Sequence, residues 1–425
     1  MSGDSALSIQ KQAVIRWGWL SELSESESAT MFATFMGWTL DGMDVMVFSF
    51  VLPTLIATWH VTRGQAGLLG TSTLVISSVG GWAAGLLADR WGRVRVLKLT
   101  ILWFAFFTFL SGFTNSFHEL LLVRGLQGLG FGGEWAVGSV LIGETVRAQH
   151  RGKAVGVVQS GWAIGWALAA LAYAVLFLVL PPELAWRVMF WIGILPALLV
   201  FYIQRHVHEP DVFEAKRKIR VSEGKSDLLQ IFGPQLWRTT FLASSVALGV
   251  QGGYYAITTW LPLYLKISRG LSVLDTSTYL FVVIFGSFAG YLVSAHLTDS
   301  LGRKGTLVLF AVLSLLSVFI YTSVPISNST MLVLGFPLGF FASGSFSPIG
   351  AFFTELFPTS VRGAAQGFSY NLGRGVGALF PALVGYMSNH ITLAHAIAVF
   401  AVSAYLLMTV GVLALPETRG RELSD

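Results

Sequence analysis

Five ionisable residues, Asp41, Asp44, Arg124, Glu134 and Arg374, interrupt stretches that are otherwise apolar. A charge near the centre of a bilayer costs roughly 2.5–3.5 kcal/mol even on insertion scales, so each must face a cavity or a partner. Asp41 and Asp44 are three residues apart, on one face of a helix, where mutual repulsion and lost hydration favour the protonated form of one of them. A carboxyl that gains and loses a proton inside a membrane can couple transport to protons. The candidate proton-coupling carboxyls are therefore Asp41, Asp44 and Glu134, with permanent pairing of Asp41 as a helix tie the structural alternative. Arg374 cannot discard its charge and needs an anion. That anion is Asp41, Asp44, Glu134 or the carboxylate of a substrate. Asn371 and the glycines around Arg374 let a helix or a ligand approach. Gln251, Tyr254 and Tyr255 in one apolar stretch, and Gln159 and Trp162 in another, offer amide, hydroxyl and ring surfaces suited to a small organic acid. These residues complete the candidate substrate site.

The composition excludes other chemistry. There is no cysteine, which removes thiol catalysis and Cys-based metal sites. The eight histidines show no metal-ligand spacing, and no nucleophile–base arrangement or phosphate-cradling loop is visible. Neither an enzyme nor a bound cofactor is expected; the driving force is a proton gradient.

The elements that position these residues are long apolar helices. Only 12% of the 425 residues are charged, while 54% are hydrophobic and 46 are glycine, a mixture that membrane helices tolerate. Spans of about 20 apolar residues fall near 30–58, 65–87, 96–113, 120–143, 154–180 and 185–204, then 238–265, 276–298, 305–325, 329–354, 364–388 and 391–415. The expected fold is all-α, with 12 transmembrane helices in two pseudo-symmetric six-helix bundles. The domains are a tail (1–29), the first bundle (30–205), a charged linker (206–237) containing Lys216-Arg217-Lys218, the second bundle (238–415) and a short tail (416–425). Serines and glutamates over 21–28 can cap the first helix. Of the Lys and Arg residues, only Arg63, Arg187, Lys266 and Arg269 fall in odd-numbered connections and Arg124 and Arg374 inside spans. The rest sit in the tails and even-numbered connections, which puts both termini in the cytoplasm. The net charge of +5 is explained by lipid headgroups, without nucleic acid. At 1.5 Å per residue, Asp41, Asp44, Glu134 and Arg374 lie roughly 15–20 Å deep, as if in one polar chamber.

A charged cassette occurs twice. Asp89-Arg90-Trp91-Gly92-Arg93 is followed by Glu144 and Arg151, and Asp299-Ser300-Leu301-Gly302-Arg303 by Glu355 and Arg362, with an offset of 210 or 211 residues. A repeat of half the chain indicates a duplicated bundle. These loops resemble the signature of the major facilitator superfamily. Arg124-Gly125-Leu126-Gln127-Gly128 resembles the fourth-helix motif of its proton-coupled branches, and Pro416-Glu417-Thr418-Arg419-Gly420 resembles the sequence after the last helix of sugar porters. Leu40-Asp41-Gly42-Met43-Asp44 with Gly132-Gly133-Glu134 is similar to the aromatic-acid, sialate and metabolite:proton symporters. The resemblance implies alternating access, with Asp44 titrating beside Arg124. It also implies a cytoplasmic gate made by Asp89, Arg93, Glu144, Arg151, Asp299, Arg303, Glu355 and Arg362. The expected function is a monomeric inner-membrane symporter that imports a small organic anion, a mono- or aromatic carboxylate, with protons. A sugar or polyol:proton symporter and a non-transporting receptor are the alternatives.

Overall fold

The computed structural model describes residues 17–209, 228–358 and 361–419, apart from a few side chains. The first half forms α1 (Glu25–Trp59), α2 (Arg63–Trp91), α3 (Arg93–Ser111), α4 (Phe117–Thr145), α5 (Ala148–Val179), α6 (Pro182–Trp191) and α7 (Pro196–His206). The second forms α8 (Trp237–Leu263), α9 (Val273–Ser300), α10 (Arg303–Ser323), α11 (Asn328–Gly344), α12 (Ser347–Leu356), α13 (Arg362–Gly377), α14 (Phe380–Met387) and α15 (Leu393–Ala414).

These helices make twelve spans because three spans are broken in two: α6 with α7, α11 with α12, and α13 with α14. Each second piece has proline in its first turn, Pro196, Pro348 or Pro381. Proline is tolerated there but would clash with the preceding turn of an unbroken helix. The first and fifth spans begin earlier than their apolar cores. In α1 the cause is a capping box in which Glu27 N–H donates to Ser24 Oγ at 3.2 Å and Ser24 N–H to Glu27 Oε2 at 2.8 Å.

Nine helices among the described residues are long and apolar enough to cross a membrane by composition alone. The spans of α4, α8 and α13–α14 fall short because they carry Arg124, Gln127 and Glu134, Gln251, and Asn371 and Arg374. Outward-facing apolar side chains such as Leu178 and Val179, 71% and 72% exposed, form a surface suited to lipid.

The duplication visible in the cassettes is physical. Gly132 lets α4 approach Ser77 of α2, and Gly339 lets α11 approach Val283 of α9; a Cβ at either position would collide with a backbone carbonyl. Gly92 and Gly302 have φ of 101° and 87°, which allows α2 to turn into α3 and α9 into α10 within one or two residues.

Neither α3 nor α10 has a side-chain cap from its own N-cap glycine. A glutamate beyond the last span of each bundle supplies it. Arg93 and Val94 N–H donate to Glu209 at 2.8 and 2.9 Å, and Arg303 and Lys304 N–H donate to Glu417 at 3.0 and 3.1 Å. An acidic group there also meets the positive end of the helix dipole. These contacts and the Glu27–Arg147 pair, 2.9 Å, gather both described chain ends and the even-numbered connections at one face, the tail face.

The two bundles meet along α2 with α13–α14, and α5 with α9. At the opposite face they are tightly joined: a Cβ on Gly67 would lie 2.5 Å from the Pro381 carbonyl, and Arg63 Nη1 donates to Ser388 O at 3.1 Å. Midway, Gly81 faces Asn371. One turn nearer the tail face, Gly85 of α2 and Gly367 of α13 meet nothing within 4 Å among the described residues. Most of the expected linker, residues 210–227 with Lys216-Arg217-Lys218, lies outside the described residues.

Candidate functional site between the bundles

One face of α4 organises the charges. Arg124, Gln127, Phe131 and Glu134 follow one another at helical spacing and point from the first bundle towards its centre. Asp44 of α1 meets the upper part of this stripe. Gln127 Nε2 donates to Asp44 Oδ2 and, at 2.7 Å, to Thr108 Oγ1 of α3. Arg124 is a looser partner, with Nη1 3.9 Å from Asp44 Oδ2 and its guanidinium 4.4 Å above the Phe48 ring. All three polar residues are buried.

Asp41 meets the lower part. Its side chain is fully buried beside Glu134, and neither of its oxygens has a hydrogen-bond partner among the described groups. Gly37, one turn before Asp41, makes the contact possible: a Cβ there would occupy the position of Glu134 Oε1. Ala33, Thr34, Trp38, Leu97, Gly138 and Val158 line a small pocket beside Glu134.

Arg374 of α13 faces this lower cluster from the second bundle and is 2% exposed. Its Nε donates to Gln251 Oε1 at 3.5 Å, and its guanidinium lies 5.2 Å from the Tyr370 ring centre and 5.6 Å from that of Phe131. Gln251 is itself held by Tyr255 Oη, 3.4 Å, and by the Tyr370 carbonyl, 3.0 Å. Among the described residues no carboxylate lies within 4.0 Å of Arg374. The five membrane charges thus form two clusters, Asp44–Arg124 within the first bundle and Asp41–Glu134–Arg374 spanning both.

Aromatic rings enclose the lower cluster. Trp162 of α5 donates to Tyr254 Oη of α8 at 2.7 Å, a hydrogen bond between bundles. The Trp38 ring lies tilted 4.8 Å from Trp162 and 4.3 Å from Trp135, and Phe346 lies 5.3 Å from Tyr254. Gln159 is buried one turn before Trp162 on α5, and Asn371, bonded to the Gly367 carbonyl at 3.0 Å, sits in the α2 interface. Gln127, Phe131, Thr108 and Tyr370 were not among the residues expected from sequence. The helical spacing of α4 signalled the first two, whereas Thr108 and Tyr370 carry no local signal.

At the tail face, Arg303 Nη2 pairs with Glu355 Oε1 at 2.9 Å, and Thr418 Oγ1 donates to Glu355 Oε2 at 2.6 Å, all within the second bundle. Arg93 Nη1 donates to the Ala88 carbonyl at 2.9 Å, as Arg303 Nη1 does to Thr298 O at 3.1 Å. The side chains of Asp89, Glu144, Arg151, Asp299 and Arg362 lie outside the described residues.

Comparison with known proteins accounts for this architecture. The family profile described as Major Facilitator Superfamily matches residues 30–334 and 280–424. The chain belongs to the Major Facilitator Superfamily. It is 45% identical to the "Probable 4-methylmuconolactone transporter" of Cupriavidus pinatubonensis over 95% of this chain and 94% of that one. It is 30% identical to the "Cis,cis-muconate transport protein" of Acinetobacter baylyi over 85% and 87%. A D-xylose-proton symporter has the same fold, with TM-score 0.70 and 20% identity over 93% of this chain and 99% of that one. This member of the superfamily is a multi-pass membrane transporter and not an enzyme.

Proposed function

We propose that this transporter is a proton-coupled symporter that imports a small organic anion, a mono- or aromatic carboxylate, across a bacterial inner membrane. It acts as a monomer with both termini in the cytoplasm, and alternating access comes from rocking of the two bundles about the central chamber. Arg374 carries the reading: a buried guanidinium without a carboxylate within 4.0 Å among the described residues, enclosed by rings of both bundles. A planar carboxylate supplies the missing anion through two parallel hydrogen bonds, and its body stacks among Trp162, Tyr254 and Phe131. Among the described residues the lower cluster has one cation beside two carboxyls, which favours one carboxylate per substrate over two. The 45% relative named for a lactone transporter supports the same class.

The Pro416-Glu417-Thr418 motif does not favour a sugar, because Glu417 and Thr418 act at the tail face, capping α10 and bonding Glu355. The test is ligand-induced stabilisation of the purified protein. 4-Methylmuconolactone or benzoate should raise its melting temperature and D-xylose should not; the reverse order would reject the carboxylate reading.

A further inference from the structure

The Gln251 side chain makes every hydrogen bond open to it, and all of them stay within the second bundle. A primary amide has two N–H donors and two acceptor lone pairs. Gln251 Nε2 donates to the Tyr370 carbonyl at 3.0 Å and to the Ala247 carbonyl at 3.4 Å. Its Oε1 accepts from Arg374 Nε at 3.5 Å and from Tyr255 Oη at 3.4 Å. Turned over, the amide would set its nitrogen against the guanidinium N–H and its oxygen against two carbonyls, so its partners fix one orientation. The residue is buried. It has no donor or acceptor left for a substrate.

The glycines around Arg374 bring this amide within reach. A Cβ on Gly373 would lie 2.5 Å from that of Ala247, and one on Gly377 would lie 2.9 Å from the Gly252 nitrogen. The backbones of α8 and α13 therefore touch on either side of Arg374, at the level of Gln251. With Nε held, the edge of the guanidinium that remains is the one carrying Nη1 and Nη2, from which no described group accepts a hydrogen bond. That edge presents two parallel N–H groups, the pattern that fits the two oxygens of a carboxylate.

We propose that Gln251 is a positioning residue for Arg374: it fixes the guanidinium so that the terminal edge meets the carboxylate of the substrate, and it does not touch the substrate itself. Tyr255 supports it through Gln251 Oε1. The inference rests on the reading of Arg374 as the anion-binding residue. A free arginine side chain has many rotamers, and binding must restrict them; a fork already held at Nε loses less freedom when the anion arrives. The benefit reaches only a ligand that uses the fork. Gln251 thus sharpens the preference for a carboxylate over a neutral group of the same shape.

The experiment measures the affinity of purified full-length wild type, Gln251→Leu, Arg374→Ala and the double variant for 4-methylmuconolactone and for its neutral primary amide. Gln251→Leu should weaken binding of the carboxylate about tenfold, the value of one hydrogen bond to a charged group, and leave binding of the amide nearly unchanged. In the Arg374→Ala background the same substitution should add nothing, because no guanidinium remains to be placed. A further loss in the double variant would mean that Gln251 contacts the substrate directly, and equal losses for the two compounds would mean a general structural role; either overturns the positioning role. So would an unchanged affinity in Gln251→Leu. If that variant does not give monodisperse protein, Tyr255→Phe carries the test: it keeps the ring, removes one donor to the amide oxygen, and should lower the ratio of carboxylate to amide affinity. An unchanged ratio there would also overturn the proposal. Unchanged carboxylate affinity in Arg374→Ala, or failure of wild type to bind the carboxylate, would reject the reading of Arg374 itself, and this inference with it.

Discussion

Replacing Arg374 separates two roles that one buried arginine can play. A substrate-binding guanidinium loses its fork in Arg374→Lys and its charge as well in Arg374→Ala. Ala should lower affinity for 4-methylmuconolactone on the order of a hundredfold, the value of about two hydrogen bonds to a charged group. Lys should fall between Ala and wild type. Equilibrium binding to monodisperse protein decides; unchanged affinity in Arg374→Ala would return the residue to the framework. Gln127 gives a second case. Its amide nitrogen serves both Asp44 and Thr108, so Gln127→Leu should leave the Asp44 carboxylate with Thr108 and the loose contact to Arg124. The expected loss is about 1–3 kcal/mol of stability, read as a lower melting temperature in detergent. A variant as stable as wild type would show that Gln127 is not needed to hold Asp44.

At the scale of elements, the starts of α3 and α10 depend on residues far away in sequence. Glu417 is part of neither α10 nor the cassette before it, yet its carboxylate holds the first free N–H groups of that helix. Glu417→Ala should destabilise the protein by about 1 kcal/mol, the usual value of a cap. Partial burial alone would raise the Glu417 carboxyl, but donors from the Arg419, Thr418, Arg303 and Lys304 backbones outweigh it and hold the group below its ordinary 4.5. A carboxylate depressed in the folded state contributes stability that is complete above 4.5 and disappears as pH falls through the folded value. Melting temperatures of wild type and Glu417→Gln should therefore differ above pH 4.5 and converge below it; a constant difference would exclude the charge as the cause.

At the scale of the whole molecule, the opposite face is shut where α2 meets α14. A Cβ placed on Gly64 would lie 3.8 Å from that of Tyr386, within the spacing of a disulfide. The chain has no cysteine of its own, so crosslinking has no background. Gly64→Cys/Tyr386→Cys should form the bond on mild oxidation, stop uptake into proteoliposomes, and recover with reductant. Full transport by crosslinked protein would mean that this contact stays closed throughout the cycle.

Sequence by itself determined the helical membrane fold, its duplication and the identities of the buried charges. Long apolar runs, the repeated Gly92 and Gly302 turns and charges inside spans are local properties, and the free energy of placing them in lipid depends little on their neighbours. Asp41, Asp44, Arg124, Glu134 and Arg374 were all legible for that reason. Their partners were not. Asp41 and Asp44 share a helix face, yet one meets Glu134 and the other Gln127, which only the depth and rotation of α4 against α1 could decide. Glu417 reads as a terminal motif and becomes a cap only when the last span brings it beside α10. The breaks at Pro196, Pro348 and Pro381 needed the packed bundle as well, since α1 and α8 carry prolines within continuous helices. Tertiary structure settled these points because hydrogen bonds and ion pairs act over a few ångströms between residues about a hundred positions apart.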